Sequence, residues 1–188
     1  MTEETVKIKK IINKPLGKRE FALLIDKRLH ADIEAQSVHH AGIYNLSLRM
    51  ASYIGTFIPS GKTSLLEIAL SQAISDWHSS LLNGDIQDSF SAFCRALFKH
   101  LPEVLEFTVT GKGTSKPHLN YTWDCTTQTI YEWIITNRIN LDDLRVIHHE
   151  GAKYLDPRDA AFLLCSKVFQ RTEMKNIGIT DEIHGLVR

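Results

Sequence analysis

From Leu29 to Leu101 apolar residues recur at spacings of three and four, which predicts three consecutive amphipathic helices. The first runs from about Leu29 to Phe57 through Ile33, Gln36, His40, Ile43, Leu46, Met50 and Ile54. Its polar members lie in the first half, and the pattern allows a break near Gly42. Pro59 ends it, because the residue before a proline avoids the α region. The second helix follows Pro59-Ser60-Gly61. Ser64 and Glu67 have capping-box spacing, and Leu66, Leu70, Ala73, Trp77 and Leu81 form its stripe. Leu65, Ala69 and Leu82 widen that stripe, so burial on more than one side is expected. Asn83-Gly84 is the expected stop, with the glycine left-handed. The third runs from Ile86 to Leu101, capped by Asp85, with Phe90, Phe93, Cys94, Leu97 and Phe98 along one face. Short connections favour antiparallel neighbours, so these three helices form the expected core.

Elsewhere the period is two. Val6–Ile12 and Phe21–Ile25 flank the turn residues Asn13 to Lys18, and a β-hairpin is the simplest reading. A second hairpin is expected from Glu106–Gly111 and His118–Asp124 across the Gly111–Pro117 loop, with Leu119, Tyr121 and Trp123 on one face. After it come a helix capped by Thr126 or Thr127 and carrying Ile130, Trp133 and Ile134, and a short helix over Leu141–His148 capped by Asn140. A third, started by Asp156-Pro157, carries Leu164, Cys165 and Val168. The tail brings Ile177, Ile179, Ile183 and Leu186, enough to dock rather than dangle. The expected fold class is therefore α+β: a predominantly helical single domain with two β-hairpins, which can join in one small antiparallel sheet packed on the helices. Residues 1–28 form a basic hairpin or arm. Residues 29–188 form the globular body: three-helix core 29–101, hairpin 106–124 and C-terminal helices 127–188.

Composition narrows the function less than the fold. Of 188 residues, 43% are hydrophobic and 23% charged, ordinary values for a globular chain, and the net charge is zero. That balance argues against a wholly basic nucleic-acid coat. Cys94, Cys125 and Cys165 are odd in number and far apart, which suits neither a disulfide framework nor a paired-cysteine zinc site. With no signal-peptide pattern and no long apolar run, the expected location is the cytoplasm or another reducing compartment. The Asn45 and Asn120 sequons then carry no weight.

Charge is unevenly spread. Residues 1–30 hold eight Lys and Arg against four Asp and Glu; residues 31–106 hold four against eight. A basic arm on an acidic body can grip nucleic acid, an anionic membrane surface, or a neighbouring copy's body. Its contacts would be Lys7, Lys9, Lys10, Lys14, Lys18 and Arg19, joined by Lys112 and Lys116 of the second hairpin. Lysines guarding an exposed strand edge account for the same pattern.

Candidate chemistry is sparse. Ser60-Gly61-Lys62-Thr63 resembles the end of a phosphate loop, but Gly55 is one residue too far away and the stretch follows a helix. His39-His40 and His148-His149 lack metal-ligand spacing, since neighbours on a helix point about 100° apart. Thr127–Glu150 outlines a helix-turn-helix whose second helix has the wrong charge for DNA, with Asp142, Asp143 and Glu150 against Arg145. Cys125 is the best nucleophile candidate, at an expected helix start, with His118, His148 or His149 as base. Three functional readings follow. The first is a non-catalytic interaction or assembly protein that self-associates or binds another protein, without cofactor or metal. The second is a polyanion binder working through the arm. The third is a cysteine-dependent enzyme centred on Cys125.

Overall fold

A computed structural model describes residues 16–149 and 157–178. The first element of the described residues is helix α1 (Lys18–Leu24), where the sequence pattern had placed a strand over Phe21–Ile25. Burial shows why. A strand would turn Phe21, Leu23 and Ile25 to one face, yet Phe21, Leu24 and Ile25 are buried and Leu23 is 52% exposed. Five apolar residues fit either period, and packing chose the helix. The described part of segment 1–28 therefore packs into the body; Val6–Ile12 lies outside the described residues.

The expected first core helix is two helices. Helix α2 (Lys27–Ser37) starts at Asp26, whose Oδ1 accepts from Arg28 N at 2.8 Å. Helix α3 (Ala41–Ile54) restarts after a break at Val38–His40. Strands β1 (Pro59–Ser60) and β2 (Thr63–Ser64) make a two-stranded hairpin that feeds α4 (Leu65–Leu81). The expected Ser64–Glu67 capping box starts that helix. Helix α5 (Ile86–His100) begins at Asp85, which accepts from Asp88 N at 2.7 Å. Gly84 does not adopt the left-handed conformation expected of it.

A 3-10 turn (Pro102–Glu106) leads to β3 (Phe107–Gly113) and β4 (Lys116–Thr122), the expected second hairpin. Helix α6 (Ile130–Asn137) is capped by Thr129, two or three residues beyond the expected cap. Asn140 caps only a 3-10 turn (Leu141–Asp143), and the rest of the expected helix is strand β5 (Arg145–His148). Val146 and Ile147 suit a strand, and β3 supplies the backbone partner. The sheet order is β4-β3-β5, antiparallel throughout, with Thr110 opposite both Thr122 and Arg145. Helix α7 (Pro157–Val168) starts at the expected proline, and α8 (Arg171–Asn176) follows. The expected tail contacts of Ile179, Ile183 and Leu186 lie outside the described residues.

The result is a predominantly helical α+β domain with two small antiparallel sheets. Helix α3 is central, packed by α2, α4, α5, α6 and α7. Its Met50, Tyr53 and Ile54 are fully buried, as are Trp77 on α4 and Phe93 on α5. Helices α2 and α4 run side by side in the same direction: Asp26 N donates to Glu67 Oε1 at 3.1 Å, and ten residues further along each helix Trp77 Nε1 donates to Gln36 Oε1 at 3.1 Å. The sheet joins the helices at Gly111, where a Cβ would lie 2.6 Å from Ile139 Cγ2 and 3.4 Å from Trp133. No described helix is long and apolar enough to cross a membrane.

Candidate functional site

Cys125 does not sit at a helix start. Helix α6 begins five residues later, and Thr129 occupies its cap. The intervening turn is held by Asp124 Oδ1, which accepts from Thr126 N at 2.9 Å and Thr126 Oγ1 at 2.7 Å. The Thr126 hydroxyl thereby holds the Asp124 carboxyl below its ordinary range. Burial, then the Asp124 charge, push the Cys125 thiol up to about 11. The Tyr53 hydroxyl donates to the Cys125 carbonyl at 2.9 Å, so it fixes the backbone rather than activating sulfur. Two of the expected bases are engaged elsewhere: His148 Nε2 lies 3.3 Å from Glu106 and His149 Nε2 2.8 Å from Thr108. His118 lies exposed on β4. Burial likewise raises Cys94 to about 12 and Cys165 to about 11.

Gly61-Lys62 is the two-residue turn of the β1–β2 hairpin, with Ser60 paired to Thr63 across it. The backbone closes on itself there instead of forming a phosphate cradle. The helix-turn-helix outline disappears with β5, since its would-be second helix is a strand.

His40 caps α3 through Nδ1, which accepts from Gly42 N at 3.1 Å, and its ring stacks on Phe90 at 3.8 Å. Among the described residues no group of three His, Cys, Asp or Glu could hold a metal. Burial lowers the His40 pKa from its ordinary 6.5. A proton on Nδ1 would turn the accepting atom into a donor and break the cap. The unfolded chain binds that proton first. The His40 contribution is therefore complete above about pH 6.5 and is lost as pH falls toward the lower native value. Denaturation midpoints measured from about pH 7.5 down to 5 should fall more steeply for the native chain than for His40→Asn, which caps without titrating. Parallel curves would contradict this assignment.

The basic residues expected to act together sit on separate elements. Lys18 and Arg19 are exposed on α1, where the Lys18 ammonium lies 5.0 Å from the Tyr44 ring centroid. Lys112 projects from the outer face of β3, and Lys116 opens β4. Lys7, Lys9, Lys10 and Lys14 lie outside the described residues. Sequence reasoning missed Arg145, which stands beside Thr110 on the same sheet face as Lys112. Only the strand period would have found it, and that stretch reads as helix.

Two surface features flank the α2–α4 layer. Near the start of both helices is an open groove of about 760 Å³. Asp26, Asp32 and Glu67 line it against the lone cation Arg28, with Leu29, Ile68 and Ile74 as apolar lining. Near the far end, Val38 is 84% exposed, Leu82 86% and Ile86 45%. The Gln36–Trp77 bond and the His40–Phe90 stack hold the α2–α3 turn against the α4–α5 hairpin. The three aliphatics therefore share one end of the helical layer.

Compared with known proteins, the chain matches no family model, no curated protein and no solved structure. Its function is read from these residues alone.

Proposed function

We propose that this is a non-catalytic interaction protein that associates with itself. One observation carries the reading: folding leaves Val38, Leu82 and Ile86 in water at one end of the helical layer. Isolated exposed aliphatics are ordinary, but three at the same end of one helical layer supply apolar surface of the kind that marks protein contacts. Burying each side chain contributes roughly 1.5–3 kcal/mol, which helps offset the cost of association. A two-fold contact needs only one self-complementary patch, so it is the simplest assembly available.

Magnitudes place the other readings behind this one. At about pH 7 a thiol whose pKa is near 11 is ionised in roughly one molecule in ten thousand, which leaves Cys125 a poor nucleophile. Leaving aside Lys7, Lys9, Lys10 and Lys14, which lie outside the described residues, Lys112 and Arg145 on the sheet face would by themselves neutralise about two phosphates. That gives a salt slope near −1.8, far short of the six to ten contacts of strong polyanion binders.

Val38→Glu with Leu82→Glu tests the proposal. Both residues are exposed, so the double variant should keep its circular dichroism and melting temperature while its dimer dissociation constant rises at least tenfold. A double variant that assembles as tightly as the native chain would contradict it.

A further inference from the structure

We infer that the outer face of the three-stranded sheet docks a phosphorylated segment of a partner protein, with the phosphate held between Lys112 and Arg145. Strand pairing builds the face. Thr110 stands opposite both Thr122 and Arg145, and Lys112 stands opposite Asn120. Directly opposed residues share a face. Val109 and Gly111, which alternate with Thr110 and Lys112, are buried, so the shared face points to solvent. Lys112 and Arg145 are diagonal neighbours, roughly 7–8 Å apart at the backbone, within reach of two long side chains that meet on one group. The sheet face and the aliphatic end lie on different elements, so this contact does not depend on self-association.

Both cations are open to a ligand. Neither side chain has a hydrogen-bond or ion-pair partner among the described residues, and both are exposed. None of the three strands contains an Asp or Glu. The acids just beyond the strand ends are engaged: Glu106 lies 3.3 Å from His148, Asp124 accepts from Thr126 N at 2.9 Å, and Asp143 accepts from Asn140 at 2.8 Å. Asp142, one residue further out, is engaged as well. The Thr110 and Thr122 hydroxyls and the Asn120 amide add uncharged donors. A phosphate monoester carries a charge of about −1.5 to −2 near neutral pH and three acceptor oxygens, so two cations match one such group. The same two are too few for a polyanion track.

Two features select a peptide as the carrier. An exposed sheet face lacks the concavity that buries a small ligand, whereas an extended segment can lie along it. Ile147 is also 50% exposed, two residues along β5 from Arg145 and on the same face. An apolar side chain beside the phosphoresidue can cover it, which a free phosphate cannot do. A nucleic-acid strand would call for aromatic platforms under its bases. No Phe, Tyr or Trp shares the outer face, because Phe107 and Tyr121 hold positions of the opposite face. Arg145 contributes shape as well as charge, since its planar fork can bind two phosphate oxygens at once.

Two nonapeptide pools offered to the immobilised full-length chain test this, one with a central phosphoserine and one with a central serine, all other positions being mixed. At about 50 mM salt the phosphoserine pool should be retained about fivefold more, and the retained peptides should be enriched in aliphatics beside the phosphoserine. Lys112→Ala and Arg145→Ala should each cut that retention about five- to tenfold. Arg145→Lys should cut it nearly as much, because it keeps the charge and loses the fork. Ile147→Ser should remove the aliphatic enrichment and leave the preference for phosphate. These side chains are exposed, so circular dichroism should not change. Equal retention of the two pools, or retention that survives Arg145→Ala, would overturn the assignment. If inorganic phosphate binds as tightly as the phosphoserine pool, the face holds a bare oxyanion and the peptide assignment fails. If a mixed-sequence single-stranded oligonucleotide binds more tightly than the pool and loses that binding in Arg145→Ala, the face is a nucleic-acid contact and the peptide assignment is likewise overturned.

Discussion

Trp77→Ala and Phe93→Ala should each lower the free energy of unfolding by roughly 3–5 kcal/mol. Both side chains are fully buried, on the two helices that form the antiparallel α4–α5 hairpin. Truncating a fully buried aromatic side chain adds the cost of the cavity left behind to the lost transfer energy. Trp77 carries a further burden, because its indole N–H donates to Gln36 and ties α2 to α4. Truncation removes that bond together with the packing. Urea denaturation of the two variants measures the effect. A loss below about 1 kcal/mol, the ordinary range for sites outside a core, would contradict the core assignment.

Arg49→Ala should cost about 3–5 kcal/mol by a different mechanism. The Arg49 guanidinium donates to both carboxylate oxygens of Glu173 and, through Nε, to the Val168 carbonyl at 2.7 Å. It thereby pins the end of α7 and all of α8 to the central helix α3. The Glu173 side chain is 8% exposed against 27% for Arg49, so the carboxylate is the group left stranded when the partner is removed. The paired replacement Arg49→Met with Glu173→Leu removes both charges and should recover most of the loss. Chemical denaturation of the single and double variants decides the matter. Equal destabilisation in both would mean that packing, rather than the uncompensated charge, holds the C-terminal helices.

The core was legible in the sequence because its signals are local. Trp77 and Phe93 fall on stripes of period 3.6, and Ser64–Glu67 and Asp85 announce helix starts that the structure retains. The β3–β4 hairpin was legible for the same reason. Short segments were not. The expected strand over Phe21–Ile25 is α1, and half of an expected helix is β5, because four or five apolar residues satisfy both periods and tertiary partners decide. The break at Val38–His40 falls beside the Gly42 break that the pattern allows, but the histidine that caps the restart carries no sequence signal of that role. The groove and the aliphatic end were beyond reach. Each depends on α2 lying parallel to α4, a pairing of residues 41 apart in sequence.

Self-association is the central claim, and sedimentation velocity of the full-length chain over a micromolar concentration series tests it most directly. The fitted mass should climb with concentration from that of a single 21.4 kDa chain toward twice that value. A mass that stays at 21.4 kDa at every concentration would contradict the claim.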